Sequence, residues 1–344
     1  MEETSPGERL RRTLARRKTD RSPVICPGGM MNAAVVELMN ATGHCFPTAH
    51  RDAALMAALA ADVQRMSGFE NFGLPFCMTV EAEVLGSEVD YGTLSCEPKI
   101  AREAVRSVED LEFLPRHTME KSGRVGLVAE AIRLLAREQP DIPVIGSVSG
   151  PLSTAASLVD PMTFLKELRK NPQGARRVVD YVTDQLIDYA LVLVESGASV
   201  ISIADPTATG EILGPRFFSA YALPAINKIV DALHARGVPV IVHICGNTKP
   251  VEALLAELRG DALSVDAMVN LAALKAEIGR SGDMAAMGNV STYLLEFGNE
   301  EAVAQVVGFL RERGIDIIAP ACGLSTSTPL RNIRALTGAA KEVS

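Results

Sequence analysis

His243 and Cys245 are the residue pair in this chain best placed to do chemistry. They lie in Pro239-Val-Ile-Val-His243-Ile-Cys245-Gly246-Asn247, a β-branched apolar run stopped by Gly and Asn. Such a run reads as a buried strand ending in a turn. Residues two apart on a strand point to one side, so imidazole and thiol leave the strand end together. Cys322, in Asp316-Ile-Ile-Ala-Pro320-Ala-Cys322-Gly323, ends another apolar run 77 residues beyond Cys245. One imidazole and two thiols from two strand ends make a three-ligand Zn2+ site with a position left for substrate, which is the mark of a catalytic zinc. For each residue alone the competing reading is ordinary packing, since free Cys is common in cores. The spacing matches no zinc finger.

The elements that must position these ligands are legible as a repeat. Apolar runs that predict strands fall at Pro23–Cys26, Phe72–Cys77, Pro143–Val148, Ser199–Ala204, Val238–His243, Ala262–Asp266, Met284–Asn289 and Asp316–Pro320. Amphipathic stretches of helix length lie between most of them, including Arg176–Ser196, Pro215–Arg236, Lys249–Leu258, Glu300–Arg313 and Thr328–Lys341. Gly197, Gly237 and Gly314 stand where helix-terminating glycines belong. About eight βα repeats over this length predict a (β/α)8 TIM barrel, an α/β fold. No glycine-rich dinucleotide fingerprint follows any strand. The expected organisation is one domain over residues 1–344, with residues 1–22 as an N-terminal helical extension and about 85–120 as an insertion or lid.

A barrel carries its working residues at the C-terminal ends of its strands. The polar residues expected there are Ser147 and Ser149, Asp205, His243 with Cys245, Asp266, Asn289 and Cys322. Asp, Asn and Ser also congregate at turns and helix N-caps, which is the competing reading for each. Asp266 either caps the following helix or closes the zinc site as a fourth, exchangeable ligand.

Composition narrows the partners. The chain has 344 residues, 47% of them hydrophobic, and a net charge of −8. That balance leaves no footprint for nucleic acid. Basic residues cluster only at the N-terminus (Arg9, Arg11, Arg12, Arg16, Arg17, Lys18, Arg21), where Leu10 and Leu14 between them suggest a solvated amphipathic helix. No apolar stretch approaches the ~20 residues of a spanning helix and no secretory segment follows Met1, so no membrane association and a cytoplasmic location are expected. Of six cysteines, Cys26 and Cys77 read as inert core thiols, and Cys45 and Cys96 fall in turns with no role assigned.

Taken together, His243-Ile-Cys245-Gly-Asn-Thr-Lys-Pro250, Leu263-Ser-Val-Asp266, Met287-Gly-Asn289-Val and Ala319-Pro-Ala-Cys322-Gly closely resemble the methylcobalamin:coenzyme M methyltransferases. Those are TIM barrels of the uroporphyrinogen-decarboxylase-like superfamily. The resemblance continues through Ile203-Ala-Asp205-Pro206, Gly150-Pro151, Leu74-Pro75-Phe-Cys-Met-Thr79, Val36-Glu-Leu-Met39 and Pro47-Thr-Ala-His50, covering essentially the whole chain. It implies that His243, Cys245 and Cys322 bind zinc, that Asp266 stands where relatives place a carboxylate ligand (there usually Glu), and that Asp205, Asn289 and Asp266 are the candidate catalytic groups. It implies transfer of methyl from methylcobalamin to a zinc-activated thiol such as coenzyme M.

Two departures sharpen that expectation. The stretch Cys26-Pro-Gly-Gly-Met-Met-Asn32 lacks the arginines with which the decarboxylases bind tetrapyrrole carboxylates, which disfavours decarboxylation. The chain also lacks an Asp-x-His-x-x-Gly corrinoid loop; Asp231-Ala-Leu-His234-Ala-Arg-Gly237 misses the spacing by one. The corrinoid is therefore expected on a partner protein. Two other readings stay open: a methyltransferase moving methyl between an ether, amine, halide or pterin and a corrinoid protein, and a non-enzymatic zinc module.

Overall fold

Parallel strands alternate with helices from Phe72 onward in a computed structural model that describes residues 4–281 and 284–342. The strands are β1 (Phe72–Leu74), β2 (Glu88–Asp90), β3 (Lys99–Arg102), β4 (Val144–Ser149), β5 (Val200–Ala204), β6 (Val240–Ile244), β7 (Ala262–Val265), β8 (Ala285–Val290) and β9 (Ile317–Pro320). One parallel sheet takes the order β1-β4-β5-β6-β7-β8-β9, and β2 with β3 form a separate antiparallel hairpin. The expected first strand, 23–26, sits between the two edges and closes the barrel. Ile25 N donates to Ile318 O and Glu70 N donates to Val24 O. On the β1 side the ladder is continued by a side chain, because Asn71 exchanges two amide hydrogen bonds of 2.9 Å with the backbone of Cys26. The fold is a (β/α)8 barrel.

The barrel interior follows the two-residue period of its strands. Ile145, Val200, Ile241, Ala262, Ala285 and Ile317 point inward in one apolar cluster. Two residues further along the same strands come Ser147, Ser202, His243 and Ser264, all buried. The lower barrel is apolar, and the layer above it is polar on β4–β7 but apolar on β8 and β9, where Met287 and Ala319 stand, with the mouth above that. Leu10 and Leu14 belong to the lower cluster, so the first helix, Pro6–Leu14, plugs the bottom of the barrel. The outer face is solvated as expected of an amphipathic helix, with Arg11 and Arg12 exposed, but the inner face, Arg9 included, is buried. Arg9 is 1% exposed and ion-paired with Asp20 at 2.7 Å and Glu70 at 2.6 Å, because a helix that seals an opening buries its inner face.

Helices cover the outside in the predicted places, with local differences. The helix Pro172–Glu195 buries Val178, Val182, Leu186 and Ala190, four residues apart on one face. The helix read over Pro215–Arg236 is present from Pro215 to His234 with a π turn at Phe218–Ala222 inside it; the helical stretch Gly210–Phe217 also adds a turn upstream, across a kink at Gly214. Gly214 there takes φ +64°, a conformation open to glycine, immediately before a proline. The stretch Lys249–Leu258 holds only two short turns of helix, Lys249–Val251 and Glu252–Leu255. β1 stops at Leu74 rather than Cys77, since Pro75 has no N–H to extend the ladder. Among the described residues no helix is long and apolar enough to cross a membrane.

Candidate metal centre

The site stands at the mouth, where β6, β7, β8 and β9 end side by side. Cys245 follows β6 by one residue, Asp266 follows β7 by one, Asn289 lies near the end of β8, and Cys322 follows β9 by two. One ligand atom each from His243, Cys245 and Cys322 lie within 4.8 Å of one another. The two sulfurs are 3.3 Å apart and unbridged. A tetrahedral zinc with Zn–S bonds of about 2.3 Å spaces its ligands about 3.8 Å apart, so these separations suit an ion at their centre.

The imidazole supplies the most specific observation. His243 is fully buried, its Nδ1 lies 2.9 Å from Ser264 Oγ, and its Nε2 is buried with no hydrogen-bond partner. A buried unpaired ring nitrogen is costly in an interior where nearly all polar atoms are satisfied. Ser264 Oγ donates to Met31 Sδ at 3.8 Å, so its oxygen can accept from Nδ1–H, the tautomer that leaves the Nε2 lone pair for a metal. The residues therefore fit zinc.

The two thiols are shifted in opposite directions. Hydrogen bonding from Cys245 holds the Cys322 thiol below its ordinary range, helped by the Gly323 N–H. The same contact, with burial, pushes Cys245 far up, because ionising it would set a second negative sulfur beside the first. A divalent cation removes that conflict by neutralising both.

Around this cluster the other expected residues take separate places. Asp266 Oδ2 lies 3.3 Å from Cys245 Sγ, and its Oδ1 accepts from Met268 N at 3.2 Å. It thus both reaches the cluster and shapes its own turn. Asn289 Nδ2 donates to the carbonyls of Asp266 and Val269, each at 2.9 Å, holding the loop that carries the carboxylate. Asp205 is fully buried and accepts from Leu152 N, Ser153 N and Ser153 Oγ, capping the helix Pro151–Leu158. Ser149 hydrogen-bonds to the buried Glu81, and Ser147 Oγ reaches Pro27 O at 3.4 Å. Among the described residues no side chain of Asp205, Asn289, Ser147 or Ser149 hydrogen-bonds to a cluster side chain; Asp205 meets His243 only through the backbone, its N–H donating to the His243 carbonyl at 3.1 Å. Cys26 and Cys77 are buried, with burial raising both thiols. A cleft of about 480 Å3 lies under the first helix at the opposite end of the barrel and touches none of these residues.

Two groups at the site carry no signal in a single sequence. Ser264 reads as a small residue filling a buried strand; only the β6–β7 register, which pairs His243 with Ser264, reveals it. Met31 reads as one more apolar core residue, yet its sulfur lies 3.8 Å from Ser264 Oγ, 233 positions away.

Residues 5–343 match the uroporphyrinogen decarboxylase (URO-D) family. The chain is 34% identical to the methylcobamide:CoM methyltransferase MtbA of Methanosarcina acetivorans, over 99% of each chain. It is 31% identical to the methylcobamide:CoM methyltransferase MtaA of Methanosarcina barkeri, also over 99% of each. A solved methyltransferase from Methanosarcina mazei superposes with a TM-score of 0.91 at 31% identity, covering 98% of both chains.

Proposed function

The chain belongs to the uroporphyrinogen decarboxylase (URO-D) family and is a methyltransferase within it; on that premise we propose that it moves a methyl group from a corrinoid on a separate protein to a small thiol held at zinc. The observation that carries this reading is the buried, unpartnered Nε2 of His243 beside the thiols of Cys245 and Cys322. Full-length similarity to proteins named for methylcobamide and CoM supports the donor and the thiol acceptor.

His243, Cys245 and Cys322 would hold the ion, and bound zinc would supply the Lewis acidity that strips the proton from a thiol at neutral pH. The protein's share is placement. Ser264 fixes the imidazole, the Cys245–Cys322 pair keeps the centre electron-rich, and Asn289 sets the Asp266 loop at the edge of the cluster. Asp266, with Oδ2 3.3 Å from Cys245 Sγ, would serve as a further ligand to the ion and be replaced by the acceptor thiol. Thiolate sulfur then attacks the methyl carbon in line; the carbon–sulfur bond forms as the carbon–cobalt bond breaks with its electron pair left on cobalt as Co(I).

The donor must reach the mouth from outside. Exposed apolar side chains stand on the segments after β7 and β8, Met268 at 66%, Tyr293 at 72% and Phe297 at 66%, with the two rings 4.8 Å apart. Such a patch beside the site suits a docking partner that carries the corrinoid. A cytoplasmic, single-domain enzyme with the β2–β3 hairpin as its insertion follows from the same reading. Dependence of methylcobalamin demethylation on both zinc and thiol is the experiment that tests it.

A further inference from the structure

The hydrogen-bond chain behind His243 ends on a loop that carries no metal ligand. His243 Nδ1 meets Ser264 Oγ at 2.9 Å, and that hydroxyl meets Met31 Sδ at 3.8 Å. All three residues are at most 1% exposed. Among the described residues these are the two side-chain contacts of the hydroxyl. It has one hydrogen, so it donates to the sulfur or to the ring and not to both.

Met31 is held in place by the turn that follows the closing strand. Gly28 and Met31 exchange backbone hydrogen bonds of 2.8 and 2.9 Å, and the Met31 carbonyl also accepts from Cys26 Sγ at 3.0 Å. Gly28 takes φ +92°, and a side chain there would strike the backbone of Gly73 in β1, so the turn is wedged against the barrel wall. A side chain at Gly323 would likewise run into the carbonyl of Met30. One loop thus bears on both the histidine side and the Cys322 side of the cluster.

We propose that Met31 is a positioning residue for the metal centre: its thioether takes the Ser264 hydroxyl hydrogen, which obliges the oxygen to accept Nδ1–H and keeps the Nε2 lone pair free for the ion. This rests on the zinc reading above and adds a residue that acts on the site only through Ser264. Without a sulfur at position 31 the hydroxyl hydrogen turns to Nδ1, and the ring proton moves to Nε2, where it opposes a cation. Binding the ion then strands a buried hydroxyl hydrogen, a loss that lowers affinity about tenfold. Met31 packs in the inner apolar cluster with Ile25, Ile241 and Met287, so leucine there removes the acceptor and keeps the volume.

The test is a double-mutant cycle in the full-length protein, with Met31→Leu and Ser264→Ala made singly and together and zinc affinity read by chelator competition. Met31→Leu should weaken zinc about tenfold where Ser264 is present and by less than about twofold in the Ser264→Ala background. Equal losses in both backgrounds, or no loss in either, overturn the positioning role. A second readout needs no affinity: nitrogen NMR of chelator-stripped, 15N-histidine-labelled protein distinguishes the two ring tautomers. The unsubstituted chain should carry the His243 proton on Nδ1 and Met31→Leu should carry it on Nε2; a proton on Nε2 in the unsubstituted chain overturns the inference. Failure of the unsubstituted protein to hold zinc overturns the metal reading and this inference with it.

Discussion

His243 Nδ1 and Ser264 Oγ lie 2.9 Å apart at paired positions of β6 and β7, and this contact decides which nitrogen the ring offers to the mouth. The hydroxyl is fully buried and donates to the sulfur of Met31 at 3.8 Å, which leaves its oxygen to accept from Nδ1–H of the imidazole. Ser264→Ala should weaken zinc affinity by roughly 10–100-fold, the usual effect of losing a group that orients a metal-binding histidine. Ser264→Thr should restore most of it. Chelator competition titrations check both, and an unchanged affinity in Ser264→Ala would remove the positioning role.

Asp266 divides its two oxygens between Cys245 Sγ and the Met268 N–H. Asp266→Ala should weaken zinc by roughly 10–100-fold without thiol and much less with thiol present. It should also cost about 1 kcal/mol of stability from the lost turn. Asp266→Asn keeps the turn and isolates the metal effect. Zinc titrations with and without thiol, beside a denaturant melt, separate the two; equal loss of affinity in both conditions would mean that the carboxylate does not step aside.

The exposed pair Tyr293 and Phe297 should serve the partner and not the chemistry. Phe297→Asp should raise the KM for a methylated corrinoid protein at least tenfold, the scale of an aromatic interface anchor. Turnover of free methylcobalamin should change little. Steady-state kinetics with the two donors decide it, and equal losses with both would place Phe297 in the active site instead.

His50 makes stability depend on pH. The ring is buried without a hydrogen-bond partner, and burial together with the Arg124 guanidinium pushes it down to about 3. Because the folded value is depressed, the contribution is fully present above 6.5 and is lost as pH falls toward the folded value; below 6.5 the unfolded chain takes up a proton that the folded one refuses. Between pH 7 and pH 5 the protein should lose about 2 kcal/mol more than a His50→Leu variant. Urea midpoints for both proteins at the two pH values measure this, and parallel profiles would contradict it.

His243, Cys245 and Cys322 can be found in the sequence because strand periodicity and terminating turns are local properties. The barrel is legible for the same reason, as is the inward face of each strand. What stays hidden depends on contacts between distant segments. Ser264 gains its role only from register with β6, and Met31 from the loop that folds it onto Ser264. The closing strand at 23–26 is only partly laddered because the Asn71 side chain replaces backbone on one side. The kink at Gly214 falls just before Pro215, where the sequence already starts a helix; the π turn at Phe218–Ala222 inside that helix is what the pattern does not show.

In the proposed function a thiol made nucleophilic at the His243, Cys245 and Cys322 site takes the methyl group from methylcobalamin. The direct measurement is conversion of methylcobalamin to Co(I) cobalamin under anaerobic conditions, followed by absorbance. It is run with zinc-loaded protein, with chelator-stripped protein, with stripped protein given zinc back, and in each case with and without 2-mercaptoethanol. Conversion is expected only where zinc and thiol are both present, with recovery on restoring zinc and a loss of at least a hundredfold in Cys245→Ala and Cys322→Ala. Equal rates before and after stripping, or conversion that ignores the thiol, would contradict it.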